Sequence, residues 1–164
     1  MGEYRPTDQN FDVADLRLAV IVARWNSQVT EGLLQGVVRV CERQGAAPEC
    51  LDIFRVPGAF ELALASQQAA RSGRFDAVIA LGCVIRGDTP HFDYVCAETT
   101  RGISQVALDE SLPVAFGVLT TDTLQQAIER SIDNAENKGE EATLAVLETL
   151  SLIHISEPTR RRGI

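Results

Sequence analysis

The sequence lacks a long hydrophobic run, and this absence excludes a protein that crosses a membrane by helices. No apolar stretch reaches the ~18–20 residues that a transmembrane helix requires. No basic-then-apolar signal peptide opens the chain, so we expect a cytoplasmic protein with no membrane partner. Low-complexity tracts are missing and 45% of the residues are hydrophobic, which excludes a disordered chain. A length of 164 residues suits one domain with a real core.

Positive charge and metal-ligating residues are also scarce. The chain has 15 Lys and Arg against 23 Asp and Glu, a net charge of −8, which argues against a nucleic-acid partner. It has two histidines, and its four cysteines do not have the spacing of metal ligands. We therefore expect no metal site, and cysteines that are reduced and buried as small hydrophobic side chains.

Motifs that identify several common enzyme classes are missing as well. The chain has no P-loop, no G-x-G-x-x-G fingerprint, no G-x-S-x-G elbow and no H-E-x-x-H pair. The signatures of a nucleotide hydrolase, a dinucleotide oxidoreductase, an α/β-hydrolase and a zinc protease are therefore absent from the sequence. The function must therefore be sought in other features of the chain.

Short apolar runs alternate with helical patterns along the chain. The predicted strands are residues 16–23, 50–56, 76–85 and 114–119. The predicted helices are residues 28–44, 59–71 and 91–110, a helix that ends near 134, and 140–152. Ser27, Thr89 and the run from Thr120 to Asp122 are predicted to cap the helices that follow them. This alternation predicts a parallel sheet with helices on both faces, in one domain at 13–152 after a loose arm at 1–12.

A turn and a helix start follow the strand at 76–85 directly. Thr89 as the N-cap and Pro90 at the first helical position would place His91 in the first turn, beyond the carboxyl end of a buried strand. Ligands of open α/β sheets bind at that end of the strands. An imidazole can transfer protons at neutral pH, and a helix N-terminus suits a phosphate. His91 is thus a candidate for proton transfer, and Asp88 and Thr89 for phosphate binding, although packing by His91 and simple capping by Thr89 stay open.

Other candidates lie where the predicted elements end. Trp25 and Phe60 are suited to stacking on a flat heterocycle, or to packing in a subunit interface. Glu61 can accept hydrogen bonds from substrate N–H groups, or can simply add negative charge to the first turn of its helix. Arg130 and Lys138 are cations that could complete an anion site, although either could be a solvated surface charge.

Five motifs, taken in order, resemble the 6,7-dimethyl-8-ribityllumazine synthase family. They are residues 24–26, 56–61, 82–95, 113–121 and 137–139, and the match covers about residues 15–152. The resemblance implies a flavodoxin-like, three-layer α/β/α sandwich with a four-stranded parallel sheet. It implies a transferase without cofactor or metal, which condenses 5-amino-6-(D-ribitylamino)uracil with 3,4-dihydroxy-2-butanone 4-phosphate in the penultimate step of riboflavin biosynthesis. The alternative is a catalytically idle paralogue that binds flavin or lumazine or forms a shell.

The resemblance also assigns roles to the residues at matching positions. Proton transfer falls to His91, and phosphate binding to Asp88, Thr89 and Arg130. Pyrimidine and ribityl binding fall to Trp25, Ala59, Phe60, Glu61, Cys83, Val84, Ile85, Phe116 and Lys138. Phe116, Arg130 and Lys138 match residues that the adjoining subunit lends to the site.

The resemblance further implies a homopentamer, and in some members an icosahedral shell of pentamers. We expect a free pentamer, because residues 131–136 replace the small, basic stretch of the shell-forming members. Residues 153–164 do not continue the amphipathic pattern of the last helix, and we expect them to be a non-native tail.

Overall fold

Four parallel strands form the centre of the molecule. The computed structural model describes residues 4–156, with side chains described as far as Ile153. The strands are β1 (Leu18–Ala23), β2 (Leu51–Val56), β3 (Ala77–Ile85) and β4 (Val114–Thr121), in the sheet order β2-β1-β3-β4. β1 and β3 are central and almost entirely buried, because each is covered by helices on both faces.

In the part of the chain that the structure describes, five α-helices cover the two faces of this sheet. They are α1 (Ser27–Arg43), α2 (Leu62–Arg71), α3 (His91–Glu110), α4 (Leu124–Glu129) and α5 (Lys138–Ser156). One hydrophobic core lies between the sheet and α1 with α5, and a second lies between the sheet and α2 with α3. These layers confirm the predicted α/β/α, flavodoxin-like architecture. Within residues 4–156, no helix is both long enough and apolar enough to span a lipid bilayer.

Two of the predicted helix caps are wrong by one residue. α1 begins after Asn26, which has a left-handed backbone with φ of 61°, and so Ser27 is already helical. α3 begins after Pro90, and Thr89 lies one position further out. The Thr89 hydroxyl still accepts a hydrogen bond of 3.4 Å from the His91 N–H, so it serves the same helix end from a different position.

The predicted start and end of the fourth helix are also wrong. α4 is capped by Thr123, whose Oγ1 accepts a 3.1 Å hydrogen bond from the Gln126 N–H, and not by residues 120–122. The helix ends at Glu129 instead of near 134. The chain turns there because the Lys138 N–H returns to the Arg130 carbonyl at 2.9 Å.

α1 and the start of α5 are in close contact because a glycine lies between them. A Cβ at Gly139 would overlap the backbone carbonyl oxygen of Leu33 on α1. Asn137, two residues before Gly139, is buried, and its Nδ2 donates to the Ile132 carbonyl at 3.0 Å. The packing of Gly139 and the hydrogen bond of Asn137 together hold the backbone on both sides of Lys138.

Residues 4–17 form neither helix nor strand, but they contact the rest of the domain. The Tyr4 hydroxyl donates to Glu148 Oε2 at 2.8 Å, and Arg5 Nη1 lies 2.7 Å from Glu136 Oε1. Phe11 packs against the core beside α1. Residues 1–3 of the expected arm and residues 157–164 of the expected tail lie outside the described residues. Residues 153–156 of that tail form the end of α5.

Candidate active site

A cavity of about 620 Å³ opens at the carboxyl ends of β1, β2 and β3. Residues from four segments of the chain line it: three lie where β1, β2 and β3 end at the same edge of the sheet, and the fourth is the first part of α3. Eight of the candidate residues from the sequence are among them: Trp25, Ala59, Phe60, Glu61, Cys83, Val84, Ile85 and His91.

The backbone around Trp25 places its indole at the mouth of this cavity. The Trp25 N–H donates to the Pro57 carbonyl at 3.0 Å, which continues the pairing of β1 with β2 beyond both strands. The left-handed Asn26 then turns the chain into α1, and its Nδ2 donates to the Cys83 carbonyl at 3.0 Å. The Trp25 side chain is left 73% exposed, although an indole gains most from contact with another apolar surface. This geometry suits stacking on a flat ligand.

Phe60 and Glu61 are presented by a short 3₁₀ turn after β2. The Gly58 N–H donates to Glu61 Oε2 at 3.0 Å, which fixes the carboxylate against the start of the turn. A carboxylate has two oxygens, so this bond leaves acceptor capacity for a substrate N–H or hydroxyl. The Phe60 ring is 64% exposed and provides a second aromatic surface at the cavity. Glu61 can therefore serve both of the roles that the sequence left open.

The end of β3 contributes an unreactive thiol and backbone groups. Burial raises the pKa of the Cys83 thiol to about 11, so the thiol is protonated at neutral pH and is a poor nucleophile. Cys83 is unpaired, as are the buried Cys41 and Cys50 and the half-buried Cys96. The end of β3 can therefore contact a ligand through backbone groups and apolar surface, and it supplies no reactive nucleophile.

We expect Cys83 of the native protein to react with iodoacetamide about a hundredfold more slowly at pH 8 than in guanidinium chloride. Unfolding removes the burial, the thiol pKa falls to its ordinary range, and the thiolate fraction rises by about that factor. Mass spectrometry of quenched samples measures the rate at each cysteine. Equal rates at Cys83 in the two conditions would show that the native thiol is ionised and accessible.

His91 is the first residue of α3, exposed and facing the cavity. Asp88 and Thr89 are exposed on the loop just before it and line neither this cavity nor the one described next. The structure therefore places the proton-transfer candidate at the cavity wall, and the two phosphate candidates beside it at the start of the same helix.

A second cavity, of about 510 Å³, lies on the other side of the sheet, between the edge strand β4 and α5. Its lining includes Phe116, Arg130 and Lys138, and none of the three lines the first cavity. Phe116 points outward from β4 and is 43% exposed. The candidate residues thus form two groups, an aromatic group with an imidazole and a cationic group with a phenyl ring.

The two cations of the second cavity are held by short local contacts. Arg130, half-buried at the end of α4, donates from Nη1 to the Gln126 carbonyl at 2.8 Å. Lys138 is the first residue of α5, and its Nζ lies 2.8 Å from Glu141 Oε2. A cation at a helix N-terminus opposes the helix dipole. The positive charge of Lys138 therefore destabilises the N-terminus of α5, and such locally unfavourable residues are typical of binding sites.

Several residues that line the first cavity were not predicted as candidates. They are Asn26, Gly58, Tyr94, Val95 and Glu98. Tyr94 and Glu98 follow His91 on α3 by three and seven residues, the spacing of one helix face, so this periodicity could have revealed them. Among the residues whose side chains the structure describes, no three His, Cys, Asp or Glu lie close enough to hold a metal ion.

Two comparisons with known proteins bear on this site. A sequence model of the 6,7-dimethyl-8-ribityllumazine synthase family matches residues 15–154. Among solved structures, a GDP-L-fucose synthetase from Naegleria fowleri aligns with 98% of this chain at 9% identity and a TM-score of 0.38. The alignment covers 50% of that protein, so this chain spans half its length, and a likeness this weak carries no argument about function.

Proposed function

Because the chain belongs to the 6,7-dimethyl-8-ribityllumazine synthase family, we propose that it condenses 5-amino-6-(D-ribitylamino)uracil with 3,4-dihydroxy-2-butanone 4-phosphate. The products are 6,7-dimethyl-8-ribityllumazine, phosphate and water, and the reaction is the penultimate step of riboflavin biosynthesis. One structural observation supports this proposal in addition to the family match. The chain separates an aromatic cavity with an imidazole from a cationic cavity, as a site shared between two subunits would require.

The complete site lies between two copies of the chain in this proposal. The first cavity is at the ends of β1, β2 and β3, and the second flanks the edge strand β4, so one chain presents them on different sides. A head-to-tail contact that joins the second cavity of one copy to the first cavity of the next repeats around a closed ring. We expect that ring to be a homopentamer.

The pyrimidine is bound in the first cavity. Trp25 and Phe60 provide exposed aromatic surfaces for its flat ring, and Glu61 accepts hydrogen bonds from its ribityl chain. Ala59 and the end of β3 at 83–85 close the pocket with apolar surface and backbone groups. Phe116 and Lys138 of the adjoining copy complete the enclosure.

The phosphate of the second substrate lies between the loop at residues 88–89 and Arg130 of the adjoining copy. Backbone N–H groups at the start of α3 can donate to phosphate oxygens, as helix N-termini do. The net charge of −8 makes a local cation necessary, because the overall field repels an anionic substrate. Arg130 supplies a planar guanidinium with the geometry to bind two phosphate oxygens.

The reaction needs proton transfers and an anion site more than a nucleophilic side chain. Imine formation joins the pyrimidine amine to the ketone carbon and releases water, and elimination then breaks a C–O bond and releases phosphate. The second amine then attacks the remaining carbonyl carbon and closes the ring, with loss of that carbonyl oxygen as a second water. His91 is placed to accept protons from the attacking amines and to return them to the leaving oxygens. Holding two substrates side by side supplies much of the remaining acceleration.

Mixing two impaired variants, assayed at substrate concentrations near the wild-type KM, tests whether the site is shared between copies. His91→Ala and Arg130→Ala oligomers should each turn over slowly and keep their assembly. When they are unfolded together and refolded, about a quarter of the contacts combine an intact His91 with an intact Arg130 from the next copy. We therefore expect activity to return to about a quarter of the wild-type rate, measured by lumazine absorbance.

The mixing experiment has a direct control and clear contrary outcomes. Refolding each variant alone must give no recovery. If the mixture is no more active than the two variants measured separately, both groups act within one chain. If wild-type protein binds riboflavin without forming lumazine, the chain is an idle binding protein. Large particles in light scattering without turnover would indicate a shell protein.

A further inference from the structure

We propose that Arg86 is a positioning residue that holds the loop at 87–90, and His91 after it, against the start of α4. This inference rests on the proposed function, because the role of the loop is to bind the phosphorylated substrate. Arg86 itself lines neither of the two cavities. Its action on the substrate is therefore indirect, through the loop.

The Arg86 guanidinium contacts three side chains, one from the turn between β4 and α4 and two from the first turn of α3. Its Nε donates to Asp122 Oδ1 at 2.8 Å, and its Nη1 lies 3.5 Å from Asp93 Oδ1. Its central carbon lies 4.4 Å from the centroid of the Phe92 ring, within range of a cation–π interaction. The Arg86 N–H also donates to the Thr121 carbonyl at 2.9 Å, so backbone and side chain are bound to the same neighbouring segment.

These contacts fix both ends of a loop that has little packing of its own. Arg86 directly follows β3, and Phe92 and Asp93 belong to the first turn of α3. Residues 86–91 are all exposed. A Cβ added at Gly87 would meet no atom within 4 Å, which shows that nothing packs against the loop there. The position of the loop therefore depends on how its two ends are held.

Asp122, the ion-pair partner of Arg86, lies in the segment that leads to Arg130. The Asp122 N–H donates to Gln126 Oε1 at 2.8 Å, and the Gln126 carbonyl accepts from Arg130 Nη1, also at 2.8 Å. The Arg86–Asp122 ion pair thus connects the loop before His91 to the helix that carries Arg130. In the proposed ring these two elements of one chain serve two different sites.

Steady-state kinetics of Arg86→Ala and Asp122→Ala test this role. Both should raise the KM for 3,4-dihydroxy-2-butanone 4-phosphate about fivefold, the effect expected of an exposed ion pair, with kcat within about twofold. The double variant should show no larger effect than Arg86→Ala alone, because Asp122 acts on the loop through Arg86. Arg86→Lys keeps the charge but not the planar fork, so we expect it to recover part of the loss.

Asp122→Ala distinguishes positioning from direct binding. If Arg86 bound the phosphate itself, loss of its competing carboxylate would free the guanidinium and lower the KM, and that outcome would overturn the proposal. A fall in melting temperature with unchanged KM would also overturn it, since the pair would then be merely structural. The control is Arg71→Ala, which removes an exposed Arg71 Nε–Glu110 Oε1 pair of the same 2.8 Å length and should leave the KM unchanged.

Hydrogen exchange gives a readout that does not depend on turnover. The amides of residues 87–89 and of His91 should exchange faster in Arg86→Ala and Asp122→Ala than in wild type, and not in Arg71→Ala. If the wild-type protein makes no lumazine, the proposed function fails while this measurement still decides whether Arg86 holds the loop. If lumazine forms and the exchange is unchanged in both variants, the proposed function stands and the role of Arg86 is wrong.

Discussion

Replacing Arg130 with alanine is expected to raise the KM for 3,4-dihydroxy-2-butanone 4-phosphate about a hundredfold. A hydrogen bond to a charged group contributes about 1.5–3 kcal/mol, and a guanidinium can form two such bonds to a phosphate. Within its own chain Arg130 donates to the Gln126 carbonyl, an uncharged acceptor that does not cancel its charge. The guanidinium is therefore available to an anion brought by the next copy.

The pyrimidine substrate provides an internal control for this variant. Its KM should change by less than about twofold in Arg130→Ala, because the residues proposed to contact the pyrimidine do not include Arg130. Arg130→Lys should fall between wild type and alanine, since a lysine keeps the charge and loses the bidentate geometry. Absorbance kinetics with each substrate varied in turn measure both constants. Equal rises for the two substrates would mean that Arg130 supports the assembly and does not bind phosphate.

Replacing Gly139 with alanine is expected to lower the free energy of unfolding by about 3 kcal/mol. The new methyl group would overlap the Leu33 carbonyl oxygen and lie 2.7 Å from the carbonyl carbon. Both atoms belong to the backbone of α1 and cannot rotate away, so the two helices must separate. Alanine is the better helix former by about 1 kcal/mol, which offsets only part of this cost.

Gly87→Ala is the matched control for this substitution. A Cβ at Gly87 meets no atom within 4 Å, so we expect a change within about 0.5 kcal/mol. Guanidinium chloride denaturation followed by circular dichroism measures both variants, at one fixed protein concentration because the proposed assembly would contribute to stability. Similar midpoints for Gly139→Ala and wild type would show that the contact between α1 and α5 adjusts easily.

The central part of the fold could be predicted from local patterns. β3 was predicted at 76–85 and lies at Ala77–Ile85, and α3 was predicted and observed at 91–110. Both elements have strong signals: β3 is a continuous apolar run that only a strand buried on both faces would carry, and α3 has a proline just before it. The place where they join, and hence the location of the first cavity, followed from these signals.

Long-range contacts decided the features that the sequence did not predict. The end of α4 depends on the return of Lys138 to the Arg130 carbonyl, and the start of α1 depends on a bond from Asn26 to Cys83, far along the chain. No local pattern reports such contacts. The phosphate-binding roles of Asp88 and Thr89 rest on their place before a helix N-terminus and on the family resemblance, and they stay predictions.

The placement of the two cavities has a consequence for what counts as one working unit. In the proposed arrangement a single protomer, however well folded, carries two partial active sites and no complete one. A linear row of protomers leaves an unmatched half at each terminus, whereas a closed circle leaves none. The smallest active unit is then the contact between two neighbouring protomers. Dilution that dissociates the ring would abolish turnover without unfolding any chain.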